Sequence, residues 1–259
     1  MTRLISWNVN GVRSAHSKGL LGWLDTERPD ILCLQETKAD PDQLPKELLA
    51  PVDSDGRPYR AYWASAKKRG YSGVAIWSRE EPRSVSFMGV PEFDDEGRTL
   101  VADFGGFTLV SAYFPNSQDA GARLPYKLGY CAAMKETLDG LVAKGRRVLV
   151  CGDFNIAHKP IDLARPKENE GNPGYLPEER AWMDSFIASG YVDTFRMFDP
   201  SPEKYSWWSY RMRAREKNVG WRIDYHCVDS GLAPKVKAAA ILDQVQGSDH
   251  CPVSVTLDI

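Results

Sequence analysis

Apolar residues along this chain come in short unbroken runs, and several runs stop at polar residues of a particular kind. Val148-Leu149-Val150-Cys151 leads into Gly152-Asp153-Phe154-Asn155. Leu4-Ile5-Ser6-Trp7 leads into Asn8-Val9-Asn10, and Ile31-Leu32-Cys33-Leu34 leads into Gln35-Glu36. Runs of this length, bounded by polar residues, read as strands covered on both faces. The pattern predicts strands at about 3–8, 31–35, 73–77, 99–103, 107–113, 147–152, 223–228 and 252–257. Helical spacing marks 121–144, where Leu124, Leu128, Cys131, Met134, Leu138, Leu141 and Val142 recur on one face and Gly145 stops the helix. A second helix starts at Pro177-Glu178-Glu179, residues suited to a first turn, and ends before Gly190. A third covers 15–27, and Pro29 bars its continuation.

Strands alternate with helices in some places and meander through hairpin-like turns (Asp94-Asp95-Glu96-Gly97, Gly105-Gly106) in others. That mixture predicts an α/β fold with mixed sheets. There is no internal repeat, linker or low-complexity segment. The one long irregular stretch, 157–176, holds Pro160, Pro166, Gly171, Pro173 and Gly174. A loop of that length in a compact domain is more often functional than idle.

At 259 residues the chain is expected to fold as a single domain, 1–259. No apolar run approaches the roughly 20 residues that span a bilayer, and a strand entered at Leu4 leaves no room for a signal peptide. The expectation is a cytoplasmic protein with no membrane partner. The five cysteines form no C-x-x-C pair and read as small buried hydrophobes. A net charge of −2 hides an uneven distribution: 203–222 carries Lys204, Arg211, Arg213, Arg215, Lys217 and Arg222 against Glu203 and Glu216. Such a patch is compatible with phosphate binding, although a charge run is by default a solvated face.

The polar residues at the strand ends carry the candidate chemistry. Residues i and i+2 leaving a strand point the same way, so Asp153 and Asn155 can reach one ligand together. Asp153 could hold a water in line with a phosphorus atom, with Asn155 as a neutral neighbour. Glu36 is the best ligand candidate for a hard cation such as Mg²⁺, which needs only one or two carboxylates; a lone Glu at such a place is more often a capping or salt-bridged residue, and the similar strand ends elsewhere tip the balance. His250, beside Asp249 in Gly247-Ser248-Asp249-His250, could as an imidazolium stabilise charge on a phosphoryl oxygen once a carboxylate orients its ring. The segment Tyr205-Ser206-Trp207-Trp208-Ser209-Tyr210 interleaves with Arg211, Arg213 and Arg215, so aromatic faces could pack on sugar or base while cations meet phosphates. Trp208 is expected in the core. No P-loop or Gly-x-Ser-x-Gly nucleophile is present, so metal-assisted hydrolysis by water leads.

The chain resembles the exonuclease III-type apurinic/apyrimidinic endonucleases of the DNase I-like endonuclease/exonuclease/phosphatase superfamily. The resemblance rests on Ser6-Trp7-Asn8-Val9-Asn10-Gly11, Leu34-Gln35-Glu36-Thr37-Lys38, Gly70-Tyr71-Ser72-Gly73-Val74, Ala112-Tyr113-Phe114-Pro115-Asn116, Gly152-Asp153-Phe154-Asn155, Asn218-Val219-Gly220-Trp221-Arg222-Ile223-Asp224-Tyr225 and Gly247-Ser248-Asp249-His250-Cys251-Pro252. It implies a four-layer α/β sandwich, two mixed β-sheets flanked by helices, with the site at one edge. It also implies Glu36 as principal Mg²⁺ ligand (Mn²⁺ able to substitute), with Asn8 and Asp249 supporting the metal. Asp153 would activate the water, Asn155 and Tyr113 would bind the scissile phosphate, and His250, paired with Asp224, would donate to it. Asn116, Asn169, Asn172, Trp207, Trp221 and Arg211 would bind substrate. The implied reaction is Mg²⁺-dependent cleavage 5′ to an abasic site in duplex DNA, leaving 3′-hydroxyl and 5′-deoxyribose phosphate. A 3′–5′ exonuclease and removal of 3′-blocking groups are expected beside it, in a monomer that is nucleoid-associated if prokaryotic.

Four positions depart from the vertebrate-type pattern: Asn10 stands for Asp, Trp207 for Phe, Asp119 for Arg and Arg211 for Met. The last two bear on how DNA is inserted and on which damage is accepted; incision at deoxyuridine stays open, since an archaeal subgroup with a similar Trp-Trp segment performs it. The rival readings are another phosphodiesterase or phosphatase of the superfamily, and a DNA-binding module without catalysis.

Overall fold

The strands that the apolar runs predict form the middle of two six-stranded sheets. The computed structural model describes residues 1–259. In chain order the strands are β1 (Thr2–Asn8), β2 (Ile31–Gln35), β3 (Arg60–Ala64), β4 (Val74–Ser78), β5 (Ser84–Ser86), β6 (Thr99–Asp103), β7 (Thr108–Tyr113), β8 (Val148–Asp153), β9 (Tyr191–Asp193), β10 (Asp224–Asp229), β11 (Val236–Ile241) and β12 (Val253–Leu257). The helices are α1 (Val12–Ser17), α2 (Leu20–Glu27), α3 (Lys46–Leu49), α4 (Pro91–Asp94), α5 (Leu124–Ala143), α6 (Pro177–Ala188) and α7 (Thr194–Phe198). One sheet has the order β11-β12-β1-β2-β4-β3, the other β5-β6-β7-β8-β10-β9. Each contains a single parallel pair, β1 with β2 and β7 with β8, flanked by antiparallel neighbours.

Alternate residues of the central strands enter different cores. Leu149 and Cys151 join Leu4, Ile31, Ile76, Leu109 and Val255 between the sheets. Val148 and Val150 point the other way, onto Tyr130 and Met134 of α5 and Met183 and Phe186 of α6. Ile5 and Trp7 pack with Val12, Leu20 and Leu24 of α1 and α2. The result is the expected four-layer sandwich of helix, sheet, sheet and helix. It also explains why these strands lack polar alternation, since both faces are dry. All five cysteines are buried and free, and no helix is long and apolar enough to cross a membrane.

Two local departures from the sequence reading have plain causes. The predicted helix 15–27 is two helices, broken where Gly19 adopts φ +97°, a left-handed conformation that interrupts the helical ladder. The strands β3, β5, β9 and β11 lie at or beside sheet edges and show partly exposed, unpatterned positions.

Both parallel pairs run so that their C-terminal ends reach the same edge of the sandwich. At that edge Gly152 has φ +139°, and a Cβ there would lie 1.8 Å from the carbonyl oxygen of Ala112. No side chain fits, so the glycine before Asp153 is a requirement of the β7–β8 approach.

Candidate active site

The last residues of β1 and β8 meet across the two sheets. Asn8 donates from Nδ2 to Asp153 Oδ2 at 2.9 Å and to Glu36 Oε1 at 3.1 Å. Two residues beyond each strand end the same turn recurs. The Asn10 amide donates to Asn8 Oδ1 at 3.0 Å, and the Asn155 amide donates to Asp153 Oδ1 at 2.8 Å. Asn10 and Asn155 both sit in the left-handed region, φ +46° and +51°, as does Glu36 at φ +51°. Asn tolerates this conformation, whereas Glu does so at a cost typical of functional positions.

Glu36 is held on every side. Tyr113 OH donates to Oε1 at 2.7 Å, and Lys38 Nζ lies 2.7 Å from Oε2. Burial would raise the Glu36 carboxyl, but the Lys38 ammonium and these donors bring it below its ordinary value. Lys38 also donates to Asn10 Oδ1 at 2.6 Å. Asn10 in turn donates to Asp249 Oδ1 at 3.0 Å, and Trp207 Nε1 donates to Asp249 Oδ2 at 3.1 Å.

On the opposite side, His250 Nδ1 donates to Asp224 Oδ2 at 2.9 Å while its Nε2 faces Asp153 Oδ2 at 3.9 Å. Ser206 Oγ donates to the same Asp224 oxygen at 2.6 Å, and the other oxygen of Asp224 has no protein partner. Burial would discharge His250, yet Asp224 and Asp153 push it up to about 10, so it is an imidazolium at neutral pH. Burial, with Asp224 and Glu36 adding to it and His250 opposing, raises Asp153 to about 7. A neutral-pH base thus faces a cationic donor.

Glu36, Tyr113, Asp153, Asn155, Asp249 and His250 line a cavity of about 260 Å³ whose walls also include Asn116, Asn172, Trp207 and Trp221. Trp207 and Trp221 meet edge to face at 6.2 Å and also border a second cavity of about 460 Å³, which takes in Asn169 and Arg211. Backbone bonds stitch this aromatic wall to the site: Trp207 and Trp221 exchange N–H···O bonds at 2.9 Å, Trp208 N–H reaches Asp249 O at 3.0 Å, and Cys251 N–H reaches Ser206 O at 2.8 Å. Trp208 is buried.

The structure therefore gathers Asn8, Glu36, Tyr113, Asp153, Asn155, Asp224, Asp249 and His250 into one network, with Asn116, Asn172, Trp207 and Trp221 around the opening. Both amide hydrogens of Asn155 are committed, to Asp153 Oδ2 at 3.2 Å and to the Phe114 carbonyl at 3.0 Å. Asn116 Nδ2 donates to Asn155 Oδ1 at 3.1 Å. Asn169 points its amide at the Ala164 and Arg165 carbonyls and accepts from Asn172. Arg211 is exposed and makes no ion pair. Half of the basic segment is structural: Arg222 is buried between Asp162 and Asp193, Arg215 donates to the carbonyls of Asp243, Val245 and Ser248, and Arg213 pairs with Glu216.

The sequence reading passed over Lys38, Ser206 and Lys127. Lys127 is fully buried, donating to the Asn155 carbonyl at 2.6 Å and to Glu179 at 2.6 Å. Its signal was available: a lysine inside the apolar stripe of a helix, between Leu124 and Cys131.

A divalent cation fits the Glu36 side better than the His250 side. Glu36, Asp249 and the Asn10 carboxamide supply oxygen, the donor type for a hard cation, and the Lys38 ammonium already bridges Glu36 Oε2 and Asn10 Oδ1. Asp153, Asp224 and His250 also converge, with ligand atoms within 4.8 Å of one another. That group includes an imidazole whose Nδ1 is already bonded to Asp224, and so offers a hard cation fewer free oxygens.

Comparisons with known proteins place the chain in a family. Residues 5–250 match the Endonuclease/Exonuclease/phosphatase family. The chain is 42% identical over 260 residues to an exodeoxyribonuclease of Bacillus subtilis (strain 168), covering 99% of this chain and all of that protein. It is 41% identical over 262 residues to DNA repair nuclease APEX1 of Danio rerio, covering 99% and 82%. Its fold superposes on an AP endonuclease from Archaeoglobus fulgidus with a TM-score of 0.87 at 28% identity, over the whole of both chains. This chain belongs to the endonuclease/exonuclease/phosphatase family.

Proposed function

We propose that residues 1–259 act as one monomeric catalytic unit that hydrolyses DNA phosphodiesters, chiefly the bond 5′ to an abasic site. A 3′–5′ exonuclease and removal of 3′-blocking groups run at the same centre. The observation that carries this reading is the facing of Asp153 and His250 across a cavity whose next wall is the oxygen-rich Glu36–Asp249 side.

Asp153 takes a proton from the attacking water, held to that task by Asn8 and Asn155, whose amides fix its orientation. The water oxygen bonds to phosphorus as the bond to the 3′ oxygen breaks, and that oxygen leaves as an alkoxide that takes a proton from solvent water to become the 3′-hydroxyl. His250, oriented by Asp224, presents its Nε2–H to a non-bridging phosphoryl oxygen and stabilises the charge that develops there. Asn155 and Tyr113 hold Asp153 and Glu36 beside the phosphate, with Asn116 and Asn172 at the rim. Glu36 and Asp249 would hold Mg²⁺, with Asn8 acting through its grip on Glu36, and a cation held there would supply charge neutralisation for the phosphoryl oxygens. Trp207 and Trp221 wall the space for a sugar without its base, whose extrusion from the duplex costs least. Exposed Arg211 and Lys217 are free to meet backbone phosphates. The protein would then work where the DNA is, in the cytoplasm, and at the nucleoid if the source is prokaryotic.

The test is incubation of the full chain with Mg²⁺ and duplexes carrying an abasic analogue, a deoxyuridine or a recessed 3′ end. Fastest incision at the abasic analogue, abolished by a chelator, is expected. Hydrolysis of an inositol phosphate with every duplex left intact would overturn the reading.

A further inference from the structure

Behind Tyr113 lies a partly buried ionic cluster, centred on Arg98, that the hydrolytic reading does not use. Arg98 is 1% exposed. Its guanidinium donates to Glu96 Oε2 at 2.6 Å, to the Tyr113 carbonyl at 3.0 Å and to the Tyr71 hydroxyl at 2.9 Å. The Arg98 carbonyl accepts from the Tyr113 amide at 2.8 Å. The guanidinium carbon also lies 4.8 Å from the Tyr113 ring centroid, within cation–π range. One residue thus grips Tyr113 at both main-chain groups and on its ring face.

A tyrosine has few internal degrees of freedom, so fixing its backbone and ring face fixes its hydroxyl. That hydroxyl is the one that meets Glu36 Oε1 at 2.7 Å. A guanidinium suits this task because its planar fork can bond in plane while stacking on an aromatic face; an ammonium cannot do both. Burying the cation is costly unless it is paired, and Glu96 supplies the counter-charge. Arg123 closes the cluster, donating to Glu96 Oε1 at 2.7 Å and to the Tyr71 hydroxyl at 2.6 Å.

We propose that Arg98 is a positioning residue, which sets the ring and hydroxyl of Tyr113 and through them the Glu36 carboxylate, without touching substrate. The proposal rests on the reading that Glu36 and Tyr113 serve phosphodiester hydrolysis. The test uses the full chain and an abasic-analogue duplex with Mg²⁺, comparing Arg98→Lys, Tyr113→Phe and the double variant, with thermal unfolding followed in parallel. Arg98→Lys should lower kcat about tenfold and leave KM within about twofold, the scale of one charge-assisted hydrogen bond used in turnover. In the Tyr113→Phe background the same change should cost little, because the two act through one hydroxyl. Tyr71→Phe, at the part-exposed end of the cluster, should show the same dependence on Tyr113 more weakly, and serves if Arg98→Lys does not fold. Losses that simply multiply, or that appear only as lowered unfolding temperature, overturn the proposal. Calorimetric titration with Mg²⁺ alone separates it from the functional reading. If the wild type incises no duplex, that reading fails, while weakened Mg²⁺ binding in Arg98→Lys still supports the positioning role and unchanged binding rejects it.

Discussion

The two sheets bring the same backbone device to the same edge and put different chemistry on it. In the first, β1 ends at Asn8 and turns so that the Asn10 amide caps the Asn8 side chain. In the second, β8 ends at Asp153 and the Asn155 amide caps the Asp153 side chain in the same way. The strand-end residues themselves differ by one ionisable group, Asn8 against Asp153. The first half, neutral at this position, holds Glu36 and Asp249 as its carboxylates and Lys38 as their counter-charge. The second places a carboxylate at the strand end itself, and His250, from the segment that leads into β12 of the first sheet, faces it; burial and neighbouring charge raise both groups. On the proposed function, the choice of Asn or Asp would turn one shared fold element to metal support on one side and water handling on the other.

Substitutions that alter this difference should act in graded order. His250→Asn removes the cationic donor that faces the second strand end and should lower kcat by roughly 10²–10³ with little change in DNA affinity, the usual cost of one such donor; parallel steady-state and binding measurements check this, and equal losses in both would contradict it. Asn8→Asp makes the halves alike by placing a carboxylate beside Asp153. Like charges so close cannot both ionise, so a proton should be retained on the pair and kcat should fall about 10²-fold, read from the same assay across pH. Trp207→Phe breaks the indole bond to Asp249 and should cost about tenfold in kcat/KM; an unchanged value would show that Asp249 needs no such support.

The smallest effect concerns stability. His226, on β10 behind the site, is held by burial at about 3. The unfolded chain binds a proton at this residue from about 6.5 downward, while the folded protein does not until near 3. Stability should therefore fall as pH drops through that window, by at most about 1.4 kcal/mol per unit. His226→Phe should flatten the slope in chemical denaturation measured between these limits.

The same contrast separates what was legible in the sequence from what was not. β2 and β8, dry on both faces, announced themselves as apolar runs, and Asn8, Glu36 and Asp153 followed from where the runs stopped. β9 and β5, three residues each, and β11, with its Lys-Ala-Ala-Ala, carry no period for a reader to detect. The break at Gly19 depends on one backbone conformation that a glycine permits but does not dictate. Within the site, residues that act locally could be read, since Asp153 and Asn155 share a face. Residues that act through distant partners could not: nothing in spacing says that Ser206 meets Asp224, that Lys127 meets the Asn155 carbonyl, or that Arg98 lies against Tyr113. The basic segment misled in part for the same reason, because Arg215 and Arg222 find carbonyl and carboxylate partners far along the chain.

The most direct test is single-turnover incision of an abasic-analogue duplex by Asp153→Asn, which removes the one charge that distinguishes the two strand ends, with DNA affinity measured on the same preparation. The account predicts loss of incision by about 10³-fold or more with affinity held within about threefold, since the base is used in the chemical step and not in docking. Incision near the wild-type rate, or a loss matched by loss of binding, would contradict it.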